Sequence, residues 1–260
     1  MTAQPTILAL DFDGVICDGL KEYFETAWRT YCNIWLQTDE TPPDNLAEKF
    51  YRLRPVIETG WEMPVLIAAL LAGVAEEQIL QDWNAIASTI VQETHLQSAA
   101  IAQKLDFLRD KWITDDLASW LGLHRFYPGV IEKLNSLMNS PIQVFIVTTK
   151  EGRFVQQLLA QQGIHLPAKS VFGKENKRPK YKILHELITT AETLPASLWF
   201  VEDRMKTLEL VAQQSNLDTV KLYLADWGYN TSNERQAAQN HDRIQLLSLS
   251  QFADDFSTWG

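Results

Sequence analysis

The chain is poor in cysteine and has no long apolar run. Its two cysteines, Cys17 and Cys32, form neither a disulfide framework nor a Cys-x-x-Cys metal motif. The apolar stretch nearest the start, Ile7–Leu10, is too short for the core of a signal peptide, and no run approaches the length of a membrane span. These absences predict a protein of the reduced cytoplasm that does not enter a membrane.

Basic residues are also scarce. The formal net charge is −10, and the clearest basic cluster is the segment 174–180. Broad binding to nucleic acid or to anionic membranes is therefore not expected. An acidic surface repels phosphorylated molecules at long range, so any phosphate site must be locally basic or hold a cation.

Several catalytic motifs are missing from the sequence. The five histidines show no His-Glu-x-x-His or other metal-ligand spacing. Gly173 and Lys174 lack the upstream glycine and the following serine or threonine of a Walker A loop. No Gly-x-Ser-x-Gly elbow occurs, which argues against serine hydrolase chemistry.

The informative stretch is a short apolar strand that ends in acids. Ile7–Leu10 is a run of four apolar residues, typical of a strand that is buried on both faces of a parallel sheet. Asp11, Phe12, Asp13 and Gly14 follow directly. Since ligands of open α/β sheets bind beyond the carboxyl ends of the strands, both acids are candidate site residues.

Later in the chain, apolar runs alternate with helical patterns. The predicted strands are residues 144–147, 170–172, 198–201 and 220–224, and one of the helices between them is predicted over 181–191. Short helices are expected in the tail after about residue 233. This alternation predicts an α/β fold, a parallel sheet with helices on both faces.

A long helical block separates the first strand from the others. Residues 19–121 contain no convincing strand and hold six of the nine tryptophans, and helices are predicted over 65–71, 79–91 and 101–121. A loop of this length without structure is uncommon in a compact domain. We expect a core made of residues 1–18 and 122–260, and an inserted all-helical domain of residues 19–121. The tryptophans at helical spacing are expected in the core of that domain: Trp28, Trp35, Trp83, Trp112 and Trp120.

Polar side chains follow four of the expected strands. They are Asp11 with Asp13, Thr148, a lysine in the segment 174–180, and Glu202 with Asp203. Carboxylates favour a hard cation, and hydroxyl and ammonium groups favour phosphoryl oxygens. The combination predicts a site for a cation and a phosphoryl group.

These motifs resemble those of the haloacid dehalogenase superfamily, on its phosphatase side. The resemblance covers residues 5–18 and 126–230 and rests on the Asp-Phe-Asp-Gly-Val-Ile signature and on the order of the four motifs. It implies a Rossmann-like core, a mobile α-helical cap inserted after the first strand, a Mg²⁺ cofactor and hydrolysis of a phosphate ester through an aspartyl-phosphate.

The resemblance also implies roles for the acids. Asp11 would be the nucleophile, and Asp13 would protonate the leaving group and then accept a proton from the attacking water. Asp11, the backbone carbonyl of Asp13, and Asp203 are the expected Mg²⁺ ligands. Glu202 would be a further ligand or would hold a metal-bound water.

A hydroxyl and a lysine would hold the phosphoryl group. Thr148 is preferred for the hydroxyl because it directly follows the apolar run, and Thr149 beside it is a candidate substrate contact. Lys180 is preferred for the lysine because it stands just before a helical run, as the family's lysine does. Lys177 is the alternative, because the family often has lysine followed by proline, although Arg178 intervenes here.

The helical domain is expected to choose the substrate. Arg52, Arg54 and Glu58 cluster near Gly60, which allows a loop to turn towards a site. They are candidate substrate contacts, and the other interpretation is a solvated connection between helices.

Together these observations predict a Mg²⁺-dependent phosphatase that acts on a small phosphorylated metabolite. A phosphomutase of the same superfamily is the nearest alternative. A haloacid dehalogenase is disfavoured, since relatives that cleave carbon–halogen bonds lack the acid found here at Asp13. A catalytically silent binding or regulatory module is the alternative from another class. The complete set of motifs argues against it, because such a module does not need them. The sequence leaves the oligomeric state undetermined.

Overall fold

The structure, a computed structural model, describes residues 4–36, 41–190 and 197–259. The chain divides into two compact units. One, here called the core unit, is formed by Met1–Asp18 with Arg125–Gly260, and the other, the helical unit, is Gly19–His124. In the residues that the structure describes, no helix is long and apolar enough to cross a membrane.

The core unit is built on a six-stranded parallel sheet with the strand order β5-β4-β1-β6-β7-β8. The strands of the chain are β1 (Ile7–Leu10), β2 (Cys17–Asp18), β3 (Arg125–Phe126), β4 (Gln143–Val147), β5 (Val171–Phe172), β6 (Leu198–Glu202), β7 (Lys221–Ala225) and β8 (Ile244–Leu247). Every residue of β1 is buried, as a strand with neighbours on both sides and helices on both faces requires.

The register of the sheet aligns the ends of its three central strands. Leu10 lies opposite Ile146 of β4 and Val201 of β6. The Asp11 amide continues the ladder by donating to the Val201 carbonyl at 2.9 Å. The residues that follow β1 and β4, and the last residue of β6, therefore emerge at one edge of the sheet.

The helical unit has six α-helices among its described residues. They are α1 (Leu20–Ile34), α2 (Leu46–Leu53), α3 (Glu62–Leu71), α4 (Glu76–Glu93), α5 (Ser98–Asp115) and α6 (Leu117–Leu121). The prediction of a single helix over 101–121 is wrong, because the backbone leaves helical geometry at Asp116. The Asp116 side chain accepts the Ser119 amide at 3.0 Å and thereby caps α6.

Aromatic residues fill the interior of the helical unit as the sequence predicts. Of the five tryptophans expected there, Trp35 is half-buried and stacks on Tyr31 at 4.9 Å, and the other four are buried. The buried Glu22 carboxylate lies among them and accepts hydrogen bonds from Arg109 at 2.8 Å and from the Trp120 indole at 3.0 Å. This satisfied buried charge joins α1, α5 and α6.

Helices cover both faces of the sheet in the core unit. They are α7 (Val130–Met138), α8 (Gly152–Gln161), α9 (Lys180–Thr190), α10 (Met205–Ala212), α11 (Ser232–Gln239) and α12 (Leu249–Ala253). Apolar residues of α9 and α10 pack on Ala9 and Phe200. The predicted end of α9 at Ala191 lies outside the described residues. The strand β8 went unpredicted in a tail that was expected to be helical.

A two-stranded antiparallel ribbon, β2 with β3, stands beside the main sheet of the core unit. Asp18, the last residue of the first segment, pairs with Arg125, the first residue of the second. The second division of the chain thus falls after His124 rather than after residue 121. The His124 ring lies 4.5 Å from the Trp120 ring and its Nδ1 lies 3.2 Å from the Trp120 carbonyl, which keeps it in the helical unit.

Candidate active site

Asp11 is the first residue after the central strand β1, and it is buried. Its Oδ1 accepts the Phe12 amide at 2.7 Å, and its Oδ2 lies 2.7 Å from Lys180 Nζ. Burial and the nearby charge of Glu202 raise the pKa of Asp11 to about 7, although Lys180 acts in the opposite direction. A buried carboxylate with one cation beside it is therefore poised to gain a second cationic partner.

Lys180, at the start of α9, bridges two of the predicted acids. Its ammonium lies 2.7 Å from Asp11 Oδ2 and 2.6 Å from Glu202 Oε2. Burial alone would lower the pKa of this lysine, but the charges of the two carboxylates raise it above its ordinary value. Lys177, the alternative from the sequence, lies instead on an exposed turn with a φ of 49°. Of the two candidates, the structure brings Lys180 to Asp11.

Three buried carboxylates form an acidic cluster, which consists of Asp11, Glu202 and Asp203. One oxygen from each lies within 4.8 Å of the others. Burial and the charge of Asp11 raise the pKa of Asp203 to about 6, and burial raises that of Glu202. Desolvation and mutual repulsion both favour a bound cation here, so this set of hard oxygen ligands fits Mg²⁺.

The loop after β7 holds Asp203 in place. The Tyr229 amide donates to Asp203 Oδ2 at 2.8 Å, and the Asn230 side-chain amide donates to the Asp203 carbonyl at 3.0 Å. Gly14, with a φ of +86°, approaches so closely that an added Cβ would lie 2.2 Å from Asp203 Oδ2. Sequence reasoning missed these contacts. The polar residues that follow β7 mark the loop in the sequence, but no local pattern indicates that it contacts Asp203.

Thr148 and Thr149 follow β4 and have different surroundings. Thr148 is buried, and its amide donates to the Phe172 carbonyl at 2.9 Å. Its hydroxyl oxygen accepts the Lys150 amide at 3.2 Å. Thr149 is exposed. The structure thus fixes the Thr148 hydroxyl at the edge of the sheet where Asp11 emerges.

Asp13 has a partner that sequence reasoning missed. Lys150 Nζ lies 3.2 Å from Asp13 Oδ1 and 3.4 Å from Asp13 Oδ2. Both side chains are largely buried. The Asp13 side chain is not one of the three carboxylates of the acidic cluster. Lys150 stands two residues after Thr148 in the sequence, but no local pattern indicates its partner.

Two of the three candidate substrate contacts of the helical unit, Arg52 and Arg54, have side-chain partners within that unit. Arg52 lies in α2 rather than in a loop, and it forms two hydrogen bonds to Glu76, at 3.0 and 2.6 Å. Arg54 donates to the Ile57 carbonyl at 3.0 Å and lies over the Tyr23 ring. Glu58 is exposed.

The loop that carries Glu58 has a fixed backbone. The Glu62 carboxylate accepts the amides of Glu58 and Thr59 at 2.7 and 2.6 Å, and the Trp83 indole at 3.3 Å. A buried acid in α3 thus holds residues 58–59 from within the helical unit.

Solved structures share this fold. A protein from Haemophilus somnus 129PT, described as a "predicted phosphoglycolate phosphatase", aligns with a TM-score of 0.61 and 16% identity over 98% of this chain and 97% of its own. A "predicted phosphatase" from Clostridium acetobutylicum aligns with a TM-score of 0.58 and 12% identity over 96% and 97% of the two chains. A HAD family hydrolase from Deinococcus radiodurans R1, crystallised with bound phosphate and sodium, gives 0.55 and 11% over 94% and 92%.

Sequence comparison gives the family directly. A search of curated protein sequences found no match. The sequence model of a family described as haloacid dehalogenase-like hydrolase matches residues 70–222, which is more than half of the chain. The matched range includes Thr148, Lys180 and the two acids at the end of β6. The chain belongs to the haloacid dehalogenase-like hydrolase family.

Proposed function

We propose that this protein is a Mg²⁺-dependent phosphatase that hydrolyses a small phosphorylated metabolite through an aspartyl-phosphate on Asp11. The observation that carries the proposal is the position of Lys180, 2.7 Å from Asp11 and 2.6 Å from Glu202. A carboxylate repels an anionic phosphate, so a nucleophilic aspartate needs a cation beside it. The bound phosphate of the Deinococcus hydrolase and the descriptions of the two phosphatases agree with a phosphate-ester substrate.

The acidic cluster supports the metal. We propose Asp11, Asp203 and the backbone carbonyl of Asp13 as the Mg²⁺ ligands. Glu202 already accepts hydrogen bonds from Lys180 and, at 3.1 Å, from the Arg204 amide, so it is suited to act as a further ligand or to hold a metal-bound water. When bound, Mg²⁺ would neutralise charge on the phosphoryl oxygens.

The reaction would proceed in two displacements at phosphorus. In the first, an Asp11 oxygen attacks in line, the bond from phosphorus to the leaving oxygen breaks, and Asp13 gives its proton to that oxygen. In the second, water attacks the aspartyl-phosphate and Asp13 takes its proton. The bond between Asp11 and phosphorus breaks and restores the carboxylate. The sum is one ester and one water converted to one alcohol and one inorganic phosphate.

Thr148 and Lys180 would hold the phosphoryl group that moves. The Thr148 hydroxyl is a donor whose backbone is fixed by Phe172, and Lys180 supplies the positive charge. Donors that are already oriented stabilise charge in the transition state without a further reorganisation cost.

We propose that the helical unit, Gly19–His124, is the cap implied by the family resemblance. Its loop, fixed by Glu62, would present Glu58 to the substrate, with Arg54 nearby in sequence. Arg52 and, in the core unit, Thr149 complete the proposed substrate contacts. The salt bridge of Arg52 to Glu76 makes Arg52 the contact that most needs rearrangement.

Phosphate release from a panel of phosphorylated metabolites tests this function. We expect turnover of at least one metabolite with Mg²⁺, loss of turnover in EDTA, and loss in Asp11→Asn. Asp226→Asn is a matched control, because Asp226 also follows a strand of the sheet but lies outside the acidic cluster. Turnover by Asp11→Asn would contradict the nucleophile, and full turnover in EDTA would contradict the metal.

A further inference from the structure

We propose that Lys150 is a positioning residue that holds the carboxyl group of Asp13 in the orientation needed to protonate the leaving group. This inference rests on the proposed function, in which Asp13 is the general acid and base. Lys150 Nζ lies 3.2 Å from one Asp13 oxygen and 3.4 Å from the other. The side chains are 8% and 16% exposed, so solvent screens the pair little.

The backbone of Lys150 is itself tethered. Its amide donates to the Thr148 hydroxyl at 3.2 Å, and its carbonyl accepts the Lys174 amide at 2.9 Å. The same two loops are joined again where the Glu175 carboxylate accepts the Gly152 amide at 3.1 Å. The Lys150 ammonium therefore starts from a backbone that is fixed on two sides, unlike that of an ordinary surface lysine.

Each acid of the Asp-x-Asp pair has its own lysine. Lys180 contacts Asp11 and Glu202, whereas Lys150 contacts Asp13. The division matters because the Asp13 side chain has two rotatable bonds that its backbone leaves free. Because Lys150 contacts both carboxyl oxygens, it fixes the plane of the group from which one oxygen gives its proton to the leaving group.

The geometry of a proton donor has a large effect on rate. A general acid contributes about 10²–10⁴ to the rate, and a displacement of about 1 Å can cost about 10². Loss of the Lys150 contact should therefore slow those reactions that need the proton. It should leave the first displacement almost unchanged where the leaving group departs as an anion.

The test compares two aryl phosphates in Lys150→Met. The readout is kcat/KM, which reports only the first displacement, because the second is common to both substrates. For phenyl phosphate, a poor leaving group, we expect kcat/KM to fall about 10- to 100-fold; for para-nitrophenyl phosphate, a good one, we expect a fall of less than about 3-fold. Lys150→Arg keeps the charge and the donors and should recover part of the loss. The ratio of the constants for the two aryl phosphates, measured in one preparation, does not depend on how much of the variant is folded. If Lys150→Met does not fold, the same ratio is measured in Lys150→Arg.

The matched control is Lys174→Met, which removes an exposed lysine from the neighbouring loop and should leave the rates for both aryl phosphates unchanged.

A double-variant cycle combines Lys150→Met with Asp13→Asn and is measured with the best metabolite substrate. Lys150→Met should add little to the loss of activity that Asp13→Asn already causes. Equal losses for the two aryl phosphates, or additive losses in the cycle, would overturn the role of Lys150. A wild-type protein without phosphatase activity, or an active Asp11→Asn, would instead overturn the proposed function. Both of these proteins retain Lys150, so that failure is distinguishable from a failure of the role of Lys150.

Discussion

Replacement of Lys180 by methionine should destabilise the protein and abolish its activity. Lys180 lies between two buried carboxylates, at 2.7 Å from Asp11 and 2.6 Å from Glu202. Removal of one partner of a buried ion pair costs about 3–5 kcal/mol, since the remaining charge is left without compensation. The carboxyl groups can escape part of this cost by taking up a proton, so we expect the full loss, about 3–5 kcal/mol, only at alkaline pH.

The pH dependence of this loss has a definite sign. Burial and the charge of Glu202 raise the pKa of Asp11 to about 7 while Lys180 is present, and removal of Lys180 raises it further. A carboxyl group with a raised folded-state pKa costs stability progressively as pH rises from its unfolded to its folded pKa. Wild type and variant share this cost up to about pH 7, above which only the variant continues to lose stability. The gap between them should therefore be smallest in mild acid and widen above neutrality.

Urea unfolding in EDTA at several pH values measures the gap, and phosphate release with Mg²⁺ measures the activity. Lys177→Met is the matched control: Lys177 is exposed, so its loss should change stability by less than about 0.5 kcal/mol and leave activity intact. Equal stability and activity in the two variants would refute the reasoning. A gap that does not depend on pH would refute its electrostatic part.

Three further predictions concern the metal site and the helical unit. Gly14→Ala should weaken Mg²⁺ binding and reduce activity by at least about 10²-fold, because the added Cβ would lie 2.2 Å from Asp203 Oδ2. The control is Gly163→Ala, since Gly163 has a similar φ of +76° and an added Cβ there would have nothing within 4 Å. It should lose about 1 kcal/mol of stability but no activity. Mg²⁺ should raise the melting temperature of the wild type, more at alkaline than at acidic pH, since protons compete for Asp11 and Asp203, whose pKa values lie at about 7 and about 6; an equal rise in Asp203→Asn would contradict this. Asp116→Ala should lower the stability of the helical unit by about 1 kcal/mol through loss of the α6 cap, measurable by urea unfolding of the whole chain, and should leave Mg²⁺ binding unchanged.

Features that depend on a local pattern could be predicted from the sequence. The family resemblance and the α/β class follow from apolar runs with polar ends, and comparison with known proteins confirmed both. The structure places the polar residues that follow β1 and β4 at one edge of the sheet with the end of β6, because parallel strands in register carry their carboxyl ends together. That Lys180 rather than Lys177 reaches Asp11 depends on the path of an irregular turn, where Lys177 takes a left-handed backbone, and spacing alone did not separate the two lysines.

Features that depend on contacts distant in sequence could not be predicted. Lys150 and Asp13 are 137 residues apart, and nothing local in either stretch indicates their pairing. The contacts of Tyr229 and Asn230 with Asp203 join two strand ends in the same way. The strand β8 has only partial burial and an ordinary composition, so its pairing with β7 is decided by the sheet that is already in place.

The central position of β1 has a consequence for how the chain folds. This strand precedes the other strands of the sheet in the sequence, and its partners β4 and β6 begin at Gln143 and Leu198. The strand that leads to Asp11 is therefore apolar and lacks its β6 partner until the whole helical unit and most of the core sequence have left the ribosome. Pairing across such separations is slow, because a long loop must close before the contacts that compensate for it can form. We expect the segment with the nucleophile to lack its second partner until β6 has formed, and the stage before that to be the one most exposed to aggregation.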